Sequence, residues 1–518
     1  MRRLSTVAAL LTASVILLTS CGFSSERKMV DPEKITYSDS YSFDKLTFDG
    51  IEEMDVSILL EAEDAKASAG VTVKNDRAGY SGSGYVDISD NAGFSLSVDI
   101  PASQFYKITV RHCADGHKEN ALLFNGLKAL DIYSDSGDWA ESEINGIFLE
   151  KGYNEITLGS GWSWFSLDSI LIENGESISD DVYGGVSDTL SNPYANLKTQ
   201  NIYQYLKAIY GKRTLAGQCT DYGHNTETDA LYNGLGKYPA VRTFDFIFDS
   251  PSYCNGNPPA TDVDLAIEWS KDGGLVVYDW HWHAPFGGAT FYADQTSFDL
   301  SKAVTDEDLA HMDLEDIKQL QNDKKITREA YKLVENIDAI SELMLRLEDK
   351  NVTVLWRPLH EASGGWFWWG AKGAEPYKWL WKLMYERMTD YHELDNLIWV
   401  WNAQSGDWYP GDEYCDIVAL DIYNDAHDHG ASPSAFSDLS GWANNGKLTT
   451  MAECGTMTDP DLIVRDNAYW LWFAVWNWDF IVVDGTPNLS EAYTSLDMMK
   501  KVYDSEVIIT RDELPKFD

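Results

Sequence analysis

Two short segments of this chain each place a glutamate where a carboxyl group could do chemistry. Glu361 lies in the segment RPLHEASGGWFWWG, residues 357–370, among aromatic residues and glycines. Glu453 lies in MAECG, where Gly455 permits a sharp turn directly after it. A protonated carboxyl can donate a proton to a leaving oxygen, and an ionised carboxylate can attack as a nucleophile. The two segments therefore predict a pair of catalytic glutamates.

The elements around these glutamates predict a (β/α)8 barrel. From about residue 197, short apolar runs alternate with longer helical patterns, which is typical of parallel strands joined by helices. The predicted strands are 214–219, 240–246, 274–282, 352–360, 397–402, 416–423, 448–453 and 472–478. The predicted helices include 197–210, 327–348, 376–391, 433–444 and 490–503. We expect Glu361 and Glu453 at the carboxyl ends of the fourth and seventh strands, the face at which such barrels carry their chemistry.

The fourth strand predicts how Glu361 is presented. Pro358 cannot donate to a β-ladder, so regular pairing should stop there. While the strand persists, Arg357, Leu359 and Glu361 should share one face. Two glutamates opposite each other across the barrel mouth suit a retaining glycosidase, which needs its carboxyl groups ~5–5.5 Å apart. The charge on Glu453 would raise the pKa of Glu361 and keep it protonated as the acid.

These motifs resemble glycoside hydrolase family 26 over roughly residues 197–510. The family's usual His-Glu-Met-Asn-Gly is here His360-Glu361-Ala362-Ser363-Gly364, a departure at its third and fourth positions. The resemblance implies that Glu361 is the acid/base, that Glu453 is the nucleophile and that catalysis uses no cofactor. It also implies endo-acting hydrolysis of β-1,4-mannosidic bonds, since this activity dominates the family. Activity on β-1,3-1,4-glucan or β-1,3-xylan remains open, because a minority of members act on those polymers.

The same resemblance implies a set of residues around the substrate. Two histidines, His281 of Trp-His-Trp (280–282) and His360, would contact the sugar. Two tryptophans, Trp366 and Trp476, would stack on sugar rings. Of the remaining members, Tyr423 would hydrogen-bond the nucleophile, Asp421 would support it and Arg357 would hold a catalytic carboxylate.

Residues 57–174 predict a separate all-β domain. Short alternating runs separated by Gly, Asp and Asn clusters indicate a β-sandwich. The segments 61–63, 79–86 and 161–172 resemble a family 35 carbohydrate-binding module. The resemblance implies a structural Ca²⁺ held by carboxylate oxygens, matching Glu61, Glu63 and Asp168. The predicted sugar contacts of this module are Trp162, Trp164 and Asn120.

The start of the chain reads as an export signal. Residues 1–21 combine two arginines, a short apolar run and Leu-Thr-Ser-Cys, ending at Cys21. This resembles a bacterial lipobox, which implies acylation of Cys21 and a lipid-anchored extracellular protein. Residues 22–56 are polar and predict a tether, and residues 175–196 form a Gly/Ser/Asp-rich linker between the module and the catalytic domain, residues 197–518.

Composition narrows the possible partners. The net charge of −43 would repel nucleic acid, and no stretch beyond the signal is long and apolar enough to span a bilayer. Twenty Trp and 28 Tyr supply flat rings that stack on sugars or fill a core. We expect a monomer whose partner is a β-mannan polysaccharide. The alternative from another class is a surface glycan-binding lipoprotein without catalysis, which the presence of both glutamates disfavours.

Overall fold

A computed structural model describes residues 27–65, 70–89, 93–135, 137–158, 164–259, 261–443, 446–483 and 486–517. The predicted signal with Cys21 and the predicted sugar contact Trp162 lie outside these residues. No helix within the described ranges is long and apolar enough to cross a membrane.

Residues 57–174 form the predicted β-sandwich. Its strands are β1 (Ser57–Glu61), β2 (Val71–Lys74), β3 (Tyr85–Ile88), β4 (Phe94–Ile100), β5 (Gln104–Cys113), β6 (Lys118–Phe124), β7 (Leu127–Ser134), β8 (Ala140–Leu149), β9 (Gly152–Leu158) and β10 (Phe165–Asn174). One antiparallel sheet has the order β2-β3-β10-β5-β8, with β1 also paired to β10, and the other has the order β4-β9-β6-β7. Along β4 every second side chain is buried, as expected when one face of a strand packs on the facing sheet.

The second domain is a closed barrel of eight parallel strands. They are β11 (Thr214–Cys219), β12 (Val241–Asp245), β13 (Leu275–Trp280), β14 (Val354–Pro358), β15 (Leu397–Trp401), β16 (Ile417–Ile422), β17 (Leu448–Cys454) and β18 (Trp472–Val475). Each strand pairs with the next along the chain, and β11 pairs with both β18 and β12, which closes the barrel. A short strand β19 (Ile508–Ile509) joins β11. The eight predicted strands are confirmed, with ends shifted by at most a few residues.

Helices cover the outside of the barrel. They are α1 (Leu197–Ile209), α2 (Thr226–Leu235), α3 (Pro251–Cys254), α4 (Val263–Lys271), α5 (Leu314–Asn322), α6 (Arg328–Glu348), α7 (Ala374–Glu386), α8 (Pro433–Ser440), α9 (Pro460–Asp466) and α10 (Leu496–Asp504). Helix α6 shows why they form. The Thr327 side chain accepts a hydrogen bond from the Ala330 N–H at its start. Leu333, Ile337 and Met344 recur on one buried face, as the period of a helix requires.

Helix α1 lies under the amino ends of the strands. Its Thr199 hydroxyl is 2.9 Å from that of Thr353, which directly precedes β14. Its Lys198 ammonium donates to the Asn351 carbonyl at 2.9 Å. The helix therefore closes the end of the barrel opposite the predicted active face.

The prediction that residues 22–56 are a free tether is wrong for their described part. The Thr36 N–H donates to Asn201 Oδ1 at 2.9 Å, and the Tyr41 ring packs edge-on against Tyr205 with centroids 5.2 Å apart. Arg27 forms an ion pair with Asp395. Polar composition suggested disorder, but the aromatic residues and Asn/Gln partners on α1 bind this segment. We call residues 27–46 the strap.

Candidate active site

One arginine at the end of β14 organises the floor of the barrel mouth. Arg357 is completely buried. Its Nε and Nη2 donate to the two oxygens of Asp279 at 2.7 and 2.6 Å, and Nη1 donates to both oxygens of Asp421 at 3.0 Å. Nη2 also pairs with Glu453. Burial alone would lower the pKa of Arg357, but the three carboxylates outweigh it and raise the pKa.

Strand register brings these groups together. Asp279 is paired with Arg357 between β13 and β14, and Asp421 is paired with Glu453 between β16 and β17. Asn402, just after β15, donates from Nδ2 to Asp421 Oδ1 at 2.8 Å. Arg357 and Asp421 were predicted among the residues around the substrate. Both side chains are fully buried, so direct contact with a ligand is wrong for this conformation. The predicted hold of Arg357 on a carboxylate is confirmed by its ion pair with Glu453, and Asp421 binds the arginine.

Glu453 is fixed from two sides. Arg357 binds Oε1, and the Tyr423 hydroxyl donates to Oε2 at 2.9 Å. Tyr423 is 45% exposed, so its ring also forms part of the cleft wall. The predicted hydrogen bond from Tyr423 to Glu453 is confirmed. With both oxygens accepting hydrogen bonds, the side chain is held in a fixed orientation, and a carboxylate is the form that can attack a carbon centre.

Glu361 sits in the loop after β14. The strand ends at Pro358, as predicted. Leu359 and Glu361 then adopt positive φ angles of 56° and 52°, so the expected continuation of the alternating strand face is wrong. The Glu361 N–H donates to the Asn402 carbonyl at 2.9 Å, which fixes this left-handed turn. The turn directs the side chain into the cleft.

Trp366 contacts the Glu361 carboxyl directly. Its indole Nε1 donates to Glu361 Oε2 at 3.1 Å, while 47% of the residue stays exposed. The ring folds closely over Gly364, where an added Cβ would come within 1.9 Å of it. The glycine is therefore required for the tryptophan to reach both the carboxyl and the open cleft.

The two glutamates lie at the spacing of a double-displacement pair. Carboxylate oxygens of Glu361, Asp421 and Glu453 all lie within 4.8 Å of one another. Burial and the charge on Glu453 together raise the pKa of Glu361 to about 7, against the opposing effect of Arg357. Glu361 is thus held as an acid near neutral pH, beside a second carboxyl group at the distance that a retaining mechanism uses.

The two predicted sugar-binding histidines occupy different depths. His281, just after β13, has its ring near Phe291 and Trp476, with centroids 5.1 and 6.1 Å away. His360 is 1% exposed and lies behind His281, their Nε2 atoms 3.2 Å apart. Direct contact of His360 with a sugar is therefore wrong for this conformation, because its side chain is buried and its Nε2 faces His281. Trp476 is partly buried beside this pair, and its predicted stacking stays a prediction.

The residues predicted to bind Ca²⁺ surround one turn of the module. Glu61 Oε2 accepts from the Ser81 hydroxyl at 2.7 Å, and Glu63 Oε1 accepts from the Ser83 N–H at 2.6 Å. Glu63 Oε2 is buried without a partner among the described residues, which suits a cation. Asp168, the third predicted ligand, forms an ion pair with Arg111. Within the described ranges these three carboxylates do not converge closely enough to share one ion, so Ca²⁺ binding stays a prediction.

The two predicted sugar contacts of the module that the structure describes differ in exposure. Trp164 is 60% exposed and lines a pocket of about 500 Å³ together with Arg77, Tyr85 and Asp115. Asn120 is inside β6 and 2% exposed, with no exposed amide to offer a sugar in this conformation. The pocket at Trp164 is compatible with a sugar. The sugar-binding roles of Trp164 and Asn120 both stay predictions.

Three residues of the site were not identified from the sequence. Asp245, Asp279 and Asn402 contact His281, Arg357 and Asp421, respectively, from the ends of neighbouring strands. A polar residue at the carboxyl end of a barrel strand is a signal that could have found them. Without the strand register, however, the sequence could not show whether these residues belong to the site or only make structural hydrogen bonds elsewhere.

Comparisons with known proteins agree with this geometry. The model of the family described as "Glycosyl hydrolase family 26" matches residues 191–513, and that of "Carbohydrate binding module (family 35)" matches residues 58–175. A mannan endo-1,4-β-mannosidase of Thermothelomyces thermophilus is 37% identical over 467 residues, covering 88% of this chain and 90% of that protein. Mannan endo-1,4-β-mannosidase B of Piromyces is 34% identical and covers 89% of this chain and 78% of that protein.

Solved structures share both domains. A β-(1,4)-mannanase of Podospora anserina, combining glycoside hydrolase family 26 with carbohydrate-binding module family 35, is 31% identical with a TM-score of 0.60. The match covers 90% of this chain and 100% of that one. A ruminal family 26 endo-β-1,4-mannanase is 26% identical with a TM-score of 0.61, covering 90% of this chain and 99% of that one.

Replacing Arg357 with Met should destabilise the barrel by about 3–5 kcal/mol, because it leaves buried carboxylates without their counterion. Urea unfolding followed by fluorescence measures this change. Arg346→Met is the matched control, since Arg346 forms an ion pair with Asp264 at the surface and should change the free energy of unfolding by less than about 1 kcal/mol. Equal effects of the two substitutions would contradict a central role for Arg357.

Proposed function

This chain belongs to glycosyl hydrolase family 26 and carries an N-terminal family 35 carbohydrate-binding module, and on this basis we propose that it is an endo-acting β-1,4-mannanase. The single observation that carries the proposal is the pair Glu361 and Glu453, with oxygens within 4.8 Å of each other in an aromatic cleft. This spacing suits retention of configuration, since inverting enzymes leave room for a water between their carboxyl groups.

The proposed reaction has two steps. In the first, Glu361 protonates the glycosidic oxygen while the Glu453 carboxylate attacks the anomeric carbon, so that the glycosidic bond breaks and an ester forms. In the second, Glu361 takes a proton from water, which attacks the same carbon and releases Glu453. Formation of the ester removes the negative charge of Glu453, which had raised the pKa of Glu361. The pKa of Glu361 therefore falls as the ester forms. This makes Glu361 a better proton donor in the first step and, once it has lost its proton, a base in the second.

The site offers contacts for a sugar between the two glutamates. Trp366 is half-exposed in the cleft, His281 lies largely buried next to the cleft, and the phenol ring of Tyr423 lies beside the proposed nucleophile. Flat rings with polar edges suit the apolar faces and hydroxyl rims of sugars. Mannan as the polymer is supported by the relatives named mannan endo-1,4-β-mannosidase, two of which span most of this chain.

The front module supports action on a polymer. It contacts the barrel where the Lys128 N–H donates to Asp428 Oδ2 at 2.9 Å, and where Arg465 lies over the Phe148 ring at 5.2 Å. We propose that the module holds β-mannan near the cleft, which raises the local concentration of cleavable bonds. We further propose that the protein acts as a monomer, exported and held at the bacterial surface by a lipid on Cys21.

The first test is hydrolysis of galactomannan, mixed-linkage glucan and β-1,3-xylan, measured as reducing ends and as a product profile. We expect release of mixed mannooligosaccharides from galactomannan by the wild type, loss of at least about 10³-fold in Glu361→Ala, and wild-type rates in Glu375→Ala. Glu375 is an exposed glutamate on α7 and serves as the matched control.

Other outcomes of this panel identify the alternatives. Binding of galactomannan without hydrolysis would mean a glycan-binding protein. Hydrolysis of glucan or xylan but not mannan would overturn the proposed substrate, and exclusive release of mannobiose from chain ends would overturn endo action.

The stereochemistry of the first product tests the two-step mechanism. We expect ¹H NMR during early hydrolysis of mannohexaose to show the β-anomer first, because two inversions restore the original configuration. In Glu361→Ala, azide should form a β-glycosyl azide from an activated aryl mannoside, since a small anion needs no general base. Initial release of the α-anomer would show inversion and would remove Glu453 from the role of nucleophile.

Metabolic labelling with an alkyne fatty acid in a bacterial host tests the anchor. We expect label on the wild-type protein and on Cys113→Ser, whose thiol is buried in the module, and no label on Cys21→Ser. Equal labelling of the wild type and Cys21→Ser would contradict acylation of Cys21.

A further inference from the structure

Asp245 makes two contacts with His281 from the end of the neighbouring strand. Its Oδ2 lies 2.5 Å from His281 Nδ1, and its Oδ1 accepts from the His281 backbone N–H at 3.0 Å. The two contacts fix both the position and the ring plane of the histidine. They also make Nδ1 a hydrogen-bond donor, because an ionised carboxylate can only accept.

The other ring nitrogen of His281 faces a second imidazole. His281 Nε2 is 3.2 Å from His360 Nε2, so one of these two nitrogens donates a hydrogen bond to the other. Burial lowers the pKa of His360 well below 6.5, and the charges of His281 and Arg357 lower it further, so His360 is neutral. When His281 is the donor, it carries a proton on each ring nitrogen and is an imidazolium.

The charged groups around His281 shift the balance between its neutral and its doubly protonated form. Asp245 on β12, Asp279 on β13 and Glu453 on β17 favour the charged ring. Burial opposes it, as does the positive charge of Arg357 on β14, while His283 and His360 are neutral neighbours. Burial acts most strongly to lower the pKa of His281, but the carboxylates, Asp245 first among them, outweigh it, so that the net effect is a raised pKa.

We propose that Asp245 is a positioning residue for the reaction, which keeps His281 doubly protonated beside the two catalytic glutamates. The inference rests on the proposed function only for its kinetic consequence. A charged His281 places a fixed positive charge near Glu453, whose carboxylate is negative before the ester forms and again after the ester is hydrolysed. It also opposes the rise in the pKa of Glu361 that burial and Glu453 produce.

The direct test is NMR titration of His281 in protein labelled with ¹³C and ¹⁵N at histidine, assigned with His281→Gln. In the wild type we expect imidazolium shifts at both ring nitrogens that persist above pH 7. In Asp245→Asn, which keeps the shape but not the charge, His281 should titrate at or below its ordinary 6.5. Asp249→Asn is the matched control, because Asp249 accepts from Tyr222 and the Thr261 N–H and makes no contact with His281.

The kinetic test measures how the charge on His281 affects catalysis. In Asp245→Asn we expect kcat/KM on galactomannan to fall on the order of 10-fold near pH 7, with a smaller loss near pH 5, where His281 regains its proton. A purely structural role would give the same loss at every pH.

A wild-type His281 that titrates below 6.5 would overturn the proposal, even if the variant failed to fold. So would an unchanged His281 titration in a folded Asp245→Asn. The titration needs no substrate, so its outcome is independent of whether the protein hydrolyses mannan.

Discussion

The buried guanidinium of Arg357 is the interaction on which the catalytic end of the barrel depends. Three carboxylates from β13, β16 and β17 converge on one cation. Without it they would repel each other or take up protons, since a buried carboxylate is poorly solvated. The arginine thus orients Glu453, while Asp279 and Asp421 fix the arginine in turn. The proposed nucleophile is held here by a network whose other members are buried.

The proposed acid/base, Glu361, lies in a different electrostatic environment. Glu361 has no cation bound to its carboxyl, and its oxygen receives one indole hydrogen bond. Burial and the nearby charge of Glu453 therefore dominate and raise the pKa of Glu361 to about 7. Two residues of the same type thus acquire different protonation states from their surroundings. The left-handed turn at Glu361 makes this difference possible, because it takes the side chain away from the arginine at the end of the same strand.

The sequence predicted the barrel and both glutamates because periodicity and motif agree along the chain, and β11 was predicted to the residue. It did not predict the direction of Glu361, since alternation along a strand carries no information about a positive φ beyond Pro358. It also predicted that His360, Arg357 and Asp421 lie around the ligand, whereas in the structure their side chains are buried behind the residues that line the cleft. Depth depends on strand tilt and on neighbours such as His281, which no single segment encodes. The packing of the strap was not predicted for a related reason. Its few aromatic residues contact partners on α1 that are more than 150 residues away along the chain.

The strap gives the molecule a defined direction in space. It reaches Arg27 beneath the amino ends of the strands, whereas the glutamates lie at the carboxyl ends. Five residues separate Arg27 from Cys21, and even a fully extended chain over these six steps spans only roughly 20 Å. With a lipid on Cys21, as proposed, the closed underside of the barrel would therefore rest near the bilayer, and the cleft would open towards the surroundings, where long polysaccharides approach without meeting the cell surface.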